Sequence, residues 1–258
     1  MPGLGSVLIA GGRALLRPPV RLLRSLLVAA RRRRALHRLA TELRRQSKGG
    51  AIDPALLLAM REAWGNKAFS ADPAYLEAIA HRTLVAEGPC LECGSGLTTV
   101  VCGIVAESRG ITIWSLEQSE EWYERVVADL RLLGVRSVVP WHAPLEEHEG
   151  FAWYEMRGRR LPSYFSHVFC DGPAVGPKRW PPAVHARWRA GVVPVLQSEG
   201  IRFGEIVLDD ADDPRSAELR RLWADRGVTT SVIDTPTGPL IVGRPALAVS
   251  GSGEPPPP

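Results

Sequence analysis

Long hydrophobic runs are missing from this 258-residue chain. No stretch of about 18 or more uncharged apolar residues occurs, which excludes a bundle of membrane-spanning helices. Cysteine is scarce too. Cys90, Cys93, Cys102 and Cys170 are too few, in surroundings too apolar, for the disulfide framework of a secreted domain, and they point to a reducing, cytoplasmic setting. Internal repeats are absent. At 45% hydrophobic and 23% charged residues the composition is neither collagen-like nor disordered. The length suits one sizeable domain plus extensions.

Acidic residues are almost missing from the first 50 positions, where Glu42 stands against 12 Lys and Arg. The remaining 208 residues hold 20 basic and 27 acidic groups, so a strongly basic arm precedes a mildly acidic body. The body carries no strong nucleic-acid signal, and attraction to polyanions belongs to the arm. From Pro18 the arm places Leu22, Leu23, Leu26, Leu27 and Ala30 at helical spacing among arginines 21, 24, 31–34 and 38. Three readings stay open. Residues 18–45 lie on an anionic membrane surface or a partner as a basic amphipathic helix; they form a solvated or body-packed helix; or they serve targeting or nucleic-acid contact. Membrane-peripheral attachment accompanies only the first.

Residues 51–86 read as a helical cap or lid segment. Asp53-Pro54 and Asp72-Pro73 each pair an N-cap with a proline tolerated in the first turn, so helices are expected over 53–63 and 72–85. Within the linker, Trp64-Gly65-Asn66 and Phe69-Ser70 precede the first strand. From 87 to 247 short apolar runs alternate with helical segments, which argues for a mainly parallel sheet with helices on both faces. Strands are expected over 89–93, 111–116, 135–141, 167–170, 205–208, 229–233 and 239–242, the last two as an edge hairpin. Residues 248–258 read as a disordered Pro-rich tail.

The most informative run is Pro89-Cys90-Leu91-Glu92-Cys93-Gly94-Ser95-Gly96-Leu97, a strand, a glycine turn and a helix start. Gly94 and Gly96 let the backbone approach a ligand, and the helix start offers free N–H groups. The third glycine of a dinucleotide fingerprint falls at Thr99, which argues against NAD or FAD. At the end of the next strand, 21 residues past Gly96, Glu117 is placed to accept two ribose hydroxyls; an exposed loop acid is the alternative.

Residues 85–210 resemble a class I S-adenosylmethionine-dependent methyltransferase. The likeness lies in LECGSG as its glycine-rich motif, SLEQS as its acidic second motif, Trp141–Leu145 as the loop after the third strand, Val168–Pro173 at the fourth strand and Val207–Asp210 at the fifth. An adenine-loop acid is not obvious, since Glu146 and Glu147 lie late. The resemblance implies a Rossmann-like, seven-stranded α/β fold with an N-terminal helical extension. It also implies S-adenosylmethionine as cofactor, with Glu92, Gly94 and Gly96 around its methionine part, Glu117 on the ribose, and Gln118 and Ala143 near the adenine. Asp171 is then placed by the methionine amino group or the acceptor, and Asp171 and Asp210 are the catalytic candidates. The implied activity is methyl transfer to an O or N atom of a small-molecule or lipid-linked acceptor, and the rival is a non-catalytic module tethered by the arm.

Asp171, Asp209 and Asp210 end strands on the ligand-binding edge. Together they could ligate a metal or one could act as general base, and Asp209 or Asp210 could instead cap the helix near Asp212-Asp213-Pro214; these alternatives stay open, and no metal is assigned. His142 and His185 are weaker base candidates. Cys90-x-x-Cys93 lacks a second zinc-like pair. Trp153, Tyr154, Trp180 and Trp188 line an acceptor pocket or pack in the core. Arg157, Arg159, Arg160, Lys178 and Arg179 form a basic rim or a solvated face.

Overall fold

A computed structural model describes residues 20–66, 70–148, 150–174 and 179–246. Pro18, Phe69, Lys178, the Trp188 side chain and the tail at 248–258, all named above, lie outside the described residues, as do the side chains of Leu22, Leu23 and Leu26.

Seven strands form one sheet. Helix α1 (Val20–Lys48), α2 (Pro54–Trp64) and α3 (Pro73–Val85) precede β1 (Cys90–Cys93). There follow α4 (Leu97–Arg109), β2 (Ile113–Glu117), α5 (Glu120–Leu133), β3 (Val138–His142) and a separate antiparallel hairpin, β4 (Leu145–His148) with β5 (Phe151–Tyr154). Then come β6 (Tyr164–Cys170), α6 (Pro182–Ala186), a 3-10 turn at Trp188–Gly191, α7 (Val192–Ser198), β7 (Arg202–Leu208), α8 (Ser216–Ala224), β8 (Val228–Ile233) and β9 (Leu240–Pro245).

The sheet order is β3-β2-β1-β6-β7-β9-β8, with β9 antiparallel to both neighbours. This is the Rossmann-like seven-stranded arrangement. The terminal hairpin is present as expected, with its first strand β8 at the edge. The chain winds outward from β1 through β2 to β3 and then returns to β1's other side at β6. That reversal leaves a crevice beyond the carboxyl ends of β1 and β6, where open α/β sheets take their ligands.

Local chemistry sets the helix starts. Asp53 and Asp72 cap α2 and α3 by accepting from Ala55 N and Ala74 N at 2.8 and 2.9 Å, and Ser119 caps α5. Alternation along β1 divides the core. Cys90 packs with Tyr75, Ile79 and Cys102 on one face, while Leu91 and Cys93 join Tyr154, Val168 and Val193 on the other. Cys90 and Cys93 therefore point to opposite faces, and both are free thiols. Chelation by this pair is ruled out geometrically.

The carboxyl-terminal half of the arm is a body-packed helix. Leu36, Ala40 and Leu43 are buried in a cluster with Leu57 and Met60 of α2 and Val101 and Ile104 of α4. Arg44 ties the helix down through Glu107 at 2.8 Å and the Leu133 carbonyl at 2.9 Å. Further toward the amino terminus contact with the body thins: Leu27 and Val28 are more than half exposed, and of the exposed Arg31 to Arg34 the Arg32 guanidinium lies against Gly65.

The hairpin of β4 and β5 and the segment α6 to α7 have no counterpart in the expected strands and helices. All four residues of β5 are buried, and Trp153 and Tyr154 are among the largest fully buried side chains. Their core role joins the second face of the sheet to α6 and α7, with Trp180 packed against the same cluster.

Candidate functional site

The crevice holds a cavity of about 640 Å³. Its wall comes from the β1 turn (Gly94, Ser95), the end of β2 and start of α5 (Glu117, Gln118, Ser119, Trp122), the loop after β6 (Asp171, Gly172) and the end of β7 (Asp209, Asp210). The α2–α3 linker closes it with Asn66, Ser70 and Asp72.

The β1 turn is built for close backbone approach. Gly94 has φ +94°, and a Cβ there would stand 2.9 Å from Gly172 N and 3.1 Å from Gly172 Cα. Cys93 O accepts from Asp171 N and Gly172 N at 3.0 and 2.7 Å, so the β1 turn and the loop after β6 are clamped together. Thr99, at the place of a third fingerprint glycine, accepts from Gly96 N at 2.8 Å and donates to Glu92 at 2.6 Å. Its hydroxyl caps the helix start from inside, a task glycine lacks the atoms to perform.

Glu92 lies beneath this turn and does not line the cavity. Ser115 and Thr99 both donate to its Oε2, Oε1 has no partner among the described residues, and burial pushes the carboxyl up to about 7. It braces β1 against β2 and α4. Gly96 and Ala143 likewise stand off the cavity wall. Ala143 is fully buried, and its N–H donates to Glu117 O at 2.7 Å.

Glu117 does line the cavity. It accepts from Ser95 N at 3.0 Å, Ser95 Oγ at 2.8 Å and Ser119 N at 2.8 Å. A carboxylate has about four lone-pair sites, so acceptor capacity remains after these three bonds. Gln118 is engaged across the crevice, its amide exchanging bonds with Ala174 O and N at 2.9 and 3.0 Å. Trp122 donates to Ser95 O at 2.6 Å and lies under the Arg125 guanidinium, 4.7 Å from its centroid.

On the β6 and β7 side the three aspartates gather around Arg189, which sequence reasoning missed. Its guanidinium meets Asp171 at 3.0 Å, Asp210 at 3.1 Å and the Asp209 carbonyl at 3.2 Å. Burial pushes Asp171 up to about 6 against the pull of Arg189, and pushes Asp209 up to about 7 with Asp171 and Asp210 adding to the effect. Asp209 also accepts from Asp72 N and Asp210 N, at 3.3 and 3.0 Å. None of these acids caps α8. Asp213 binds Arg215 instead, at 2.6 Å, ahead of the helix. Among the described residues no group of three or more His, Cys, Asp or Glu is arranged to hold a metal ion.

Tyr154, which the sequence left between an acceptor pocket and the core, belongs to the core cluster and also touches the cavity. The residue lines the cavity, while its hydroxyl is buried beside Gly172 with no hydrogen-bond partner among the described residues. His142, His185, Arg157, Arg159, Arg160 and Arg179 are not in the cavity wall. Arg159 instead lies over Trp141 at 5.1 Å and donates to the His142 carbonyl. Arg157 reaches Glu146 at 3.6 Å. The spelling of Asp-Pro was a signal for Asp72 and the aromatic pair Trp153-Tyr154 for Tyr154, but nothing local marked Arg189.

These residues fit S-adenosylmethionine better than a dinucleotide. Among the described residues six carboxyl groups and one guanidinium line the cavity, a balance that favours a sulfonium cation and opposes a pyrophosphate. Gly94 and Ser95 offer an open backbone turn, and Glu117 keeps acceptor sites for hydroxyls.

No protein-family model and no curated protein matches the chain. Solved structures similar to it include precorrin-6y C5,15-methyltransferase from Geobacter metallireducens, at 13% identity over 66% of this chain and 87% of that one, with a TM-score of 0.47. The hMettl16 catalytic domain in complex with MAT2A 3′UTR hairpin 1 is 11% identical over 80% and 85% of the two chains, with a TM-score of 0.49. A SAM dependent methyltransferase from Aquifex aeolicus is 11% identical over 75% and 98%, with a TM-score of 0.47. At these identities the likeness is one of coarse chain arrangement.

Proposed function

We propose that the protein is an S-adenosylmethionine-dependent methyltransferase acting on an O or N atom of a small-molecule or lipid-linked acceptor. The observation that carries this reading is the acid-rich cavity at the β1–β6 reversal, bounded by the Gly94–Ser95 turn and by Glu117. Bound there, the cofactor supplies an electrophilic methyl group on a positively charged sulfur.

The chain's own residues have modest tasks. Glu117 accepts from ribose hydroxyls while Ser95 and Ser119 hold its carboxylate in place. Gly94 and Ser95 present backbone to the methionine part. Asp171 and Asp210, held by Arg189, set the negative potential on the acceptor side. Asp209 is the best-placed proton acceptor, because burial holds its carboxyl near neutrality. Methyl transfer otherwise requires chiefly a nucleophile held in line at near-attack distance.

Calorimetric titration with S-adenosylmethionine and S-adenosylhomocysteine tests the reading, with NAD as control. Micromolar binding, weakened at least tenfold in Glu117→Ala and absent for NAD, is the expected outcome. No binding of either compound by the wild-type chain would sink it.

A second reading concerns attachment. The amino-terminal part of α1 exposes Leu27, Val28 and four consecutive arginines beyond its packed half, which supports docking on an anionic membrane surface. No helix among the described residues is long and apolar enough to cross a membrane. Flotation of the full chain with anionic, but not zwitterionic, liposomes at low salt is expected; sedimentation with neither would dismiss it.

A further inference from the structure

We propose that the methyl acceptor is a small cationic amine, bound against Asp171, Asp209 and Asp210 with its nitrogen beside the Tyr154 hydroxyl, an assignment that rests on the methyltransferase reading. The carboxyl groups of the cavity fall on two sides. Glu117 and Glu121 belong to the β2–α5 side, where the ribose is assigned. Asp72, Asp171, Asp209 and Asp210 belong to the β6–β7–α3 side, with Arg189 as the cation among them. Among the described residues, four acids stand against one base on this side, more than one sulfonium balances, and the excess faces the acceptor's side. An ammonium group supplies the missing positive charge, whereas a phosphate or carboxylate is repelled.

Tyr154 is an independent pointer. A fully buried hydroxyl without a partner costs free energy, and such groups in native proteins call for an explanation. Tyr154 lines this cavity, its hydroxyl beside Gly172, one residue from Asp171. Burial raises its pKa well above the usual phenol range, so it serves as a neutral donor or acceptor beside an amine.

The chemistry balances without any further reactant. The ammonium passes one proton to the Asp209 carboxylate, freeing the nitrogen lone pair. The C–N bond forms as the C–S bond breaks, the C–S electron pair stays on sulfur, and the sulfonium becomes a neutral thioether. The product leaves as a methylated ammonium, and Asp209 returns its proton to solvent.

The test uses the full chain saturated with S-adenosylhomocysteine and titrated with benzylamine, benzyl alcohol, benzoate and a short RNA oligonucleotide. Benzylamine is expected to bind at least tenfold more tightly than the other three. Tyr154→Phe should weaken benzylamine three- to tenfold and leave S-adenosylhomocysteine within twofold. Asp209→Asn should cut the amine-over-alcohol preference at least fivefold. Asp210→Asn changes a half-exposed side chain at φ +60°, a conformation asparagine tolerates, and should cut it about threefold with the fold intact. Equal binding of amine and alcohol, preference for benzoate or RNA, or an amine preference untouched by these variants would overturn the assignment. Failure to bind S-adenosylhomocysteine refutes the methyltransferase reading instead, so the two failures are distinguishable.

Discussion

Replacing Gly94 by alanine probes the backbone contact on which the cavity depends. The new Cβ would stand 2.9 Å from Gly172 N, 3.1 Å from Gly172 Cα and 3.3 Å from Asp171 C. All three are backbone atoms, so no flexible side chain can swing away. Gly110 is the matched control, with φ +65° and nothing within 4 Å of its added Cβ. Gly110→Ala therefore carries only the left-handed penalty, about 1–2 kcal/mol. Gly94→Ala carries a similar penalty plus overpacking of about 1–3 kcal/mol, or roughly 2–5 kcal/mol together. At about 2–4 °C per kcal/mol for a domain of this size, melting should fall by roughly 4–20 °C, against about 2–8 °C for the control. Urea denaturation at constant m-value measures the difference directly. S-adenosylhomocysteine affinity should also fall at least tenfold in Gly94→Ala and stay within twofold in Gly110→Ala. Equal destabilisation in both variants with unchanged affinity would refute a hard contact between the β1 turn and the loop after β6.

Tyr154→Phe removes only an unpartnered buried hydroxyl, so the unliganded protein should gain about 1 kcal/mol, read as a melting point raised by a few degrees. Arg189→Met leaves Asp171 and Asp210 facing each other without their shared guanidinium, and denaturation should show a loss of about 3–5 kcal/mol. Burial lifts Asp209 from 3.8 to about 7, so the folded state holds a proton that the unfolded chain has lost; stability should fall as pH rises across that window and level off above it. Asp209→Asn should reduce that slope, with Glu92 and Asp171 keeping their shares, in melting curves recorded from about pH 4 to 8. Leu43→Ala, at a fully buried position of α1, should cost about 2–5 kcal/mol by urea denaturation, while Leu27→Ala on the exposed part should stay within about 0.5 kcal/mol.

Much of the scaffold was legible because its signals are local. An Asp-Pro pair caps a helix through atoms two residues apart, so α2 and α3 could be placed from spelling alone. Strand, glycine turn and helix start at 90–97 form one continuous unit, and Glu117 follows at the end of the next strand. Other features had no local signature. In β4, LEEH is short and polar, and β5 is recognisable as a core strand only once α6 and α7 cover it. Glu92 occupies the expected motif position, yet its side chain turns under α4 to Thr99 and Ser115 rather than into the cavity. Arg189 stands two residues from Arg187 with nothing local to tell them apart, and its meaning depends on aspartates 18 and 21 residues away along the chain.

What the sequence by itself determined was the succession of strands and helices, their caps, and the glycine turn and acid that mark a ligand edge, because these rest on contacts within a few residues. Only the tertiary structure decided that the packed half of the arm belongs to the body and that Arg189, Tyr154 and four aspartates share one cavity wall. Those outcomes follow from which side of β1 the chain returns to at β6. That choice is set by burial summed over the two faces of the sheet, a quantity no short window of residues contains.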